Sequence, residues 1–95
     1  MESWPFDDLE DVLTLTVRQI MDGGQPILRV CHDAGAGMWQ FLNTAGPVPR
    51  ANAVLVGLRE VYAIDPSITQ VSDLPLGWTA ERSAPGQSWH RKPLG

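Results

Sequence analysis

The sequence predicts an α+β fold, a small mixed and mainly antiparallel sheet of about five or six strands with two or three short helices. Three observations carry this expectation. Short runs rich in β-branched and aromatic residues recur from Val12 to Arg91. Gly, Pro and Asn punctuate the intervals between them. Helical spacing is confined to brief stretches, clearest at Leu58–Ile64 and after Asp65-Pro66.

Taken in order, residues 1–11 form an acidic N-terminal arm interrupted by Pro5, a solvated lead-in with Trp4 and Phe6 as candidate anchors. Val12-Leu13-Thr14-Leu15-Thr16 is a first strand. Thr16 is placed to cap a helical turn in which Val17, Ile20 and Met21 share a face, and Gly23-Gly24 stops it. Pro26 to His32 is a second strand, with Pro tolerated at its first position. A Gly-containing loop at residues 33–37 joins it to Met38-Trp39-Gln40-Phe41-Leu42 as a hairpin. Asn43 to Asn52, carrying Gly46, Pro47 and Pro49, is the longest irregular stretch.

Ala53-Val54-Leu55-Val56-Gly57 has the composition of a buried strand, although an apolar run that short equally suits a helix start. Leu58 to Ile64 is a helix with Arg59 and Glu60 turned outward. Asp65 is an N-cap and Pro66 a first helical residue, where the missing N–H costs nothing. Ile68, Val71 and Leu74 follow until Pro75 and Gly77 end the segment. Trp78 to Arg82, a Pro85-Gly86 turn and Ser88 to Arg91 close the fold as a hairpin. One domain spans 12–91, and 92–95 is a tail.

Composition narrows the function. Seven Lys and Arg against eleven Asp and Glu give a net charge of −4, with the basic residues scattered. A nucleic-acid binder needs a concentrated basic face, so nucleic acid is not the expected partner. Five acids, Glu2, Asp7, Asp8, Glu10 and Asp11, fall within the arm, which suits a basic protein partner. The single Cys31 excludes an internal disulfide. No apolar run approaches the ~20 residues of a membrane span, and the N-terminus lacks the basic flank and apolar stretch of a signal peptide. The expected location is the cytoplasm.

No constellation for chemistry emerges. Cys31-His32-Asp33 is the nearest candidate, yet neighbouring strand residues point to opposite faces, so Cys31 and His32 do not meet. One Cys and two His, His32 and His90, do not make a zinc site. Gly23-Gly24 and Gly35 to Gly37 lack the following helix N-terminus that a phosphate cradle needs. The expected catalytic, metal and cofactor sites are therefore none. Trp78, Ala80 and Arg82 alternate onto one strand face, as do Trp89 and Arg91. If those faces coincide, Trp78, Arg82, Trp89 and Arg91 form an aromatic-and-arginine surface of the kind enriched at interfaces. Against this stands a core role for both rings, with the arginines covering them.

Trp39-Gln40-Phe41-Leu42, Val54-Leu55-Val56, Asp65-Pro66-Ser67-Ile68, Asp73-Leu74-Pro75, Gly77-Trp78-Thr79-Ala80-Glu81-Arg82 and Trp89 together resemble a family of small bacterial proteins of unknown function. The resemblance covers roughly residues 12–91. Some members of the wider group are classed as immunity proteins of bacterial toxin systems. It implies an interaction role and carries over no catalytic residue. The chain departs from the pattern after Leu42, where an acidic stretch in the family is replaced by residues 43–49. A partner bound through that stretch is not carried over.

The expected function is thus a non-enzymatic protein-interaction module, similar to an immunity protein. One alternative is a small ligand-binding protein or enzyme using Cys31 and His32 with Asn43 to Asn52 as a lid. Another is a structural homodimer whose strands pair across the interface.

Overall fold

The computed structural model describes residues 4–44, 46 and 48–94. Residues 1–3 of the expected arm, Ala45 and Pro47 of the irregular stretch, and Gly95 of the tail lie outside the described residues.

β-Branched side chains suit a pleated surface, and the runs that carry them become six strands: β1 (Leu13–Val17), β2 (Arg29–His32), β3 (Trp39–Leu42), β4 (Ala53–Gly57), β5 (Trp78–Glu81) and β6 (His90–Pro93). They form one sheet in the order β4-β1-β3-β2-β5-β6. β1 and β3 run parallel, and the other neighbours are antiparallel. The α+β expectation therefore holds, with one parallel pair inside a mainly antiparallel sheet.

Helix α1 (Arg18–Met21) is one turn, and α2 (Leu58–Ile64) is the longest helix. In α2 the Glu60 carboxylate returns to the Gly57 N–H at 2.7 Å, satisfying one donor of the first turn. Asp65 then caps a 3-10 helix, Pro66–Val71, by accepting from the Ser67 N–H at 3.0 Å. A second 3-10 turn, Arg50–Asn52, leads into β4.

Register sorts the side chains onto two faces. Val30, Phe41 and Ala80 align across β2, β3 and β5, and all three are fully buried. Leu58, Val61, Ile68, Val71 and Leu74 from the helical segments join them in the core. The opposite face is closed at the end bearing Val17 and Leu42 and open over Leu13 and Leu55, with Leu15 half-buried beside them.

Three sequence expectations are corrected. Thr16 does not cap α1, because Val17 occupies that position. Its hydroxyl donates instead to the Phe41 carbonyl at 2.8 Å, inside the sheet. The acidic segment is a solvated arm only in part: Asp7, Leu9, Glu10 and Asp11 are exposed, while Trp4 and Phe6 dock it, in keeping with their reading as anchors. Phe6 is buried in the core, and its ring meets Trp39 edge-on at 5.2 Å. Finally, Lys92 and Pro93 belong to β6, so the sheet extends into the expected tail.

Candidate functional site

The β2–β3 turn, the segment Ser72–Leu76 and the docked Asp7-Asp8 segment converge on an open cleft of about 450 Å³. Two glycines let the backbone turn beside it. Gly37 (φ +70°) lies in its wall, and Gly77 (φ +80°) adjoins Leu76, where other residues would be strained.

The floor is aromatic. His32 and Trp39 are cross-strand partners, and their rings stack at 3.9 Å between centroids, 12° from parallel. His32 Nδ1 lies 2.7 Å from the Leu74 carbonyl, which accepts, so Nδ1 carries the proton. That bond fixes the ring plane.

The rim is acidic. Asp8 Oδ1 accepts from Trp39 Nε1 at 2.9 Å, while the Asp8 carbonyl accepts from Trp4 Nε1 at 2.7 Å. The Trp39 indole thereby holds the arm against the sheet, and the Trp4 indole closes a turn within the arm. Asp7 stands exposed beside it. On the far side Asp73 meets Arg91 Nη2 at 2.8 Å. The hydrogen bond from Arg91 holds the Asp73 carboxyl below its usual 3.8, against slight desolvation.

The four residues expected at an interface do share one face, because Ala80 pairs with Arg91. It is the face that the helical segments cover. Arg82 is not on the surface: its side chain is 1% exposed and its Nη2 lies 3.0 Å from Asp65 Oδ2. Arg82 also donates from Nε to the Ile27 carbonyl at 2.9 Å and from Nη1 to Ser67 Oγ at 3.1 Å. Trp89 lies over its guanidinium at 4.3 Å and donates to Gln70 Oε1 at 3.1 Å. Arg91 donates to the Gln70 carbonyl at 2.7 Å. Trp78 is half-buried against the core. These residues tie the closing hairpin to the Pro66–Val71 helix.

Cys31 and His32 stand on opposite sheet faces, as alternation requires. Thr79 Oγ1 donates to the Val30 carbonyl at 3.0 Å, so the Cys31 thiol, 3.3 Å away, donates to that hydroxyl oxygen. This leaves a buried thiol whose hydrogen-bond partner is a hydroxyl and not a base. The proposed lid lies elsewhere. Asn43, Thr44, Val48, Pro49 and Asn52 line a separate cavity of about 140 Å³ with Val17 and Gln19. Among the described residues no group of three or more His, Cys, Asp or Glu is placed to hold a metal ion. No described helix is long and apolar enough to cross a membrane.

Asp8 was expected to serve a basic partner only as one acid of the arm, and Asp73 and Leu76 were not singled out as site residues by sequence. The available signal was the Trp4-x-Phe6 pair just before Asp7-Asp8, which marks a segment able to dock. Comparison with models of protein families, with curated proteins and with solved structures finds no match to this chain.

Proposed function

We propose that the protein is a non-enzymatic interaction module that receives a basic segment of a protein partner in the Asp7–Asp8–Asp73 cleft. The observation that carries this reading is the cleft itself, an aromatic floor of His32 on Trp39 beneath a carboxylate rim. An arginine or lysine entering it meets the half-buried His32 ring, with Trp39 buried beneath, and gains carboxylate oxygens to bond. Asp7 supplies an exposed charge, and Asp8 and Asp73 retain acceptor capacity beyond their bonds to Trp39 and Arg91. The net charge of −4 favours encounter with a basic surface. Neutralisation of a toxin in the bacterial cytoplasm, the role implied by the resemblance above, fits a module that works by covering its partner.

The experiment is affinity capture from lysate of the native host with three baits: the wild-type chain, an Asp7→Lys/Asp73→Lys variant and a Glu10→Lys/Asp11→Lys variant. Both pairs change charge equally, but only the first borders the cleft. The expected result is one basic protein retained by the wild type and the second variant and lost from the first. Equal retention by all three overturns the cleft as the binding site.

A further inference from the structure

The two edges of the sheet are built differently. β6 presents His90, Arg91, Lys92 and Pro93, three polar or charged side chains and a proline without an N–H. Such edges resist pairing with another strand. β4 presents Ala53-Val54-Leu55-Val56-Gly57, which is apolar and uncharged. Leu55 at its centre is 57% exposed.

The backbone of β4 narrows what that edge can accept. The Leu58 N–H donates to the Val12 carbonyl at 2.9 Å. Antiparallel alternation then turns the polar groups of Val54 and Val56 toward β1 and those of Ala53, Leu55 and Gly57 outward. Two of the outward donors are committed within the chain. The Ala53 N–H donates to the Arg50 carbonyl, and the Gly57 N–H donates to Glu60 Oε2 at 2.7 Å. Leu55 sits between them with its N–H and C=O aimed at the open edge.

We propose that this edge pairs with β4 of a second copy of the chain, antiparallel about a two-fold axis at Leu55. In that register the two Leu55 residues exchange both backbone hydrogen bonds. With the N–H groups of Ala53 and Gly57 committed, Leu55 is the residue of β4 whose N–H and C=O are both open to a partner strand, which centres the pairing on it. The two-fold axis keeps both copies' open faces on one side. Leu15 pairs with Leu55 within each chain, so the pairing creates a continuous Leu15–Leu55–Leu55–Leu15 stripe from exposed Leu55 and half-buried Leu15. Charge favours the same arrangement. Exposed Arg18 and Arg50 flank the start of β4, whereas exposed Glu10, Asp11 and Glu60 lie around its end, with Arg59 among them. Antiparallel pairing sets each basic end beside the other copy's acidic end, twice. One strand edge and a leucine stripe bury an area at the low end of specific interfaces, less than about 1,200 Å², so the association is weak and reversible. The inference goes beyond the cleft reading and uses a different edge of the molecule.

Sedimentation velocity across a concentration series tests it on the wild type, Leu55→Lys and Leu13→Lys. Leu13 is similarly exposed on the same face but lies one strand inside the edge. The wild type should move from monomer to dimer, and Leu55→Lys should weaken dimerisation by more than about tenfold, because like charges would stand directly opposite. Leu13→Lys should change it much less. The wild type also offers a variant-free readout: the Leu55 amide should gain protection from hydrogen exchange as concentration rises, while the amide of Arg91 at the other edge does not. A wild type that stays monomeric throughout overturns the proposal. So does a Leu55→Lys chain that dimerises normally, or an equal loss in both variants, which would indicate face-to-face stacking.

Discussion

Arg82 and Asp65 meet at 3.0 Å beneath the ring of Trp89, with the arginine side chain 1% exposed and the aspartate 23%. Asp65 also caps the Pro66–Val71 helix, and Arg82 follows directly after β5. One ion pair thus joins the helical layer to the sheet. Its weight lies in what removal would strand: Asp65, Ser67 Oγ and the Ile27 carbonyl would all lose a donor. Arg82→Ala is expected to cost about 3–5 kcal/mol, read by urea denaturation. Arg82→Lys should recover little, because an ammonium cannot reproduce the fork. A loss below about 1 kcal/mol in Arg82→Ala would refute this role, since that is the range of exposed pairs.

Phe6 carries the claim that the acidic segment belongs to the fold. It is 5% exposed and touches both Trp4 and Trp39. Phe6→Ala should destabilise the protein by about 3–5 kcal/mol. A solvated arm would give almost no change in the same denaturation experiment.

Asp73 predicts a small, signed pH effect. Arg91 lowers its folded pKa below 3.8. Its contribution to stability is therefore present above 3.8 and lost as pH falls through the folded value. The side chain is 78% exposed, so solvent and salt screen the benefit. A carboxyl NMR titration should find the Asp73 midpoint below 3.8, and Arg91→Gln should move it upward. An unchanged midpoint in that variant would rule out Arg91 as the cause.

Cys31 should behave as a buried core residue. It is 5% exposed and donates to Thr79. Labelling by a thiol-specific disulfide reagent should be slower in the folded protein than in urea by at least about a hundredfold, following the opening equilibrium. Rapid labelling of the native chain would show an accessible thiolate and reopen a chemical role.

Much of the fold is legible because it is local. The Val12–Thr16 run, the Asp65-Pro66 start and the Pro85-Gly86 turn each express a local backbone preference that agrees with the fold. Strand order is not local. β1 lies between β3 and β4, and nothing in Leu13–Val17 names either neighbour. Arg82 shows why a face pattern falls short: alternation groups it correctly with Trp78, but whether helices or water cover that face depends on distant segments. The same limit hid the cleft, whose lining comes from three separated stretches. Asp73 could be read only as part of a helix stop, since the Arg91 that binds it lies in the last strand.

The central claim, docking of a basic partner in the cleft, is tested most directly by site-specific photocrosslinking in the native host. A photoreactive residue replaces either Leu76, a cleft-lining position that is 56% exposed, or Gln87, in the exposed turn of the tryptophan hairpin. The account predicts an adduct with one basic protein from position 76, lost when Asp7→Lys and Asp73→Lys are added, and none from position 87. Adducts from 87 alone would move the interface to the hairpin and contradict the cleft, and so would a Leu76 adduct indifferent to the charge reversals.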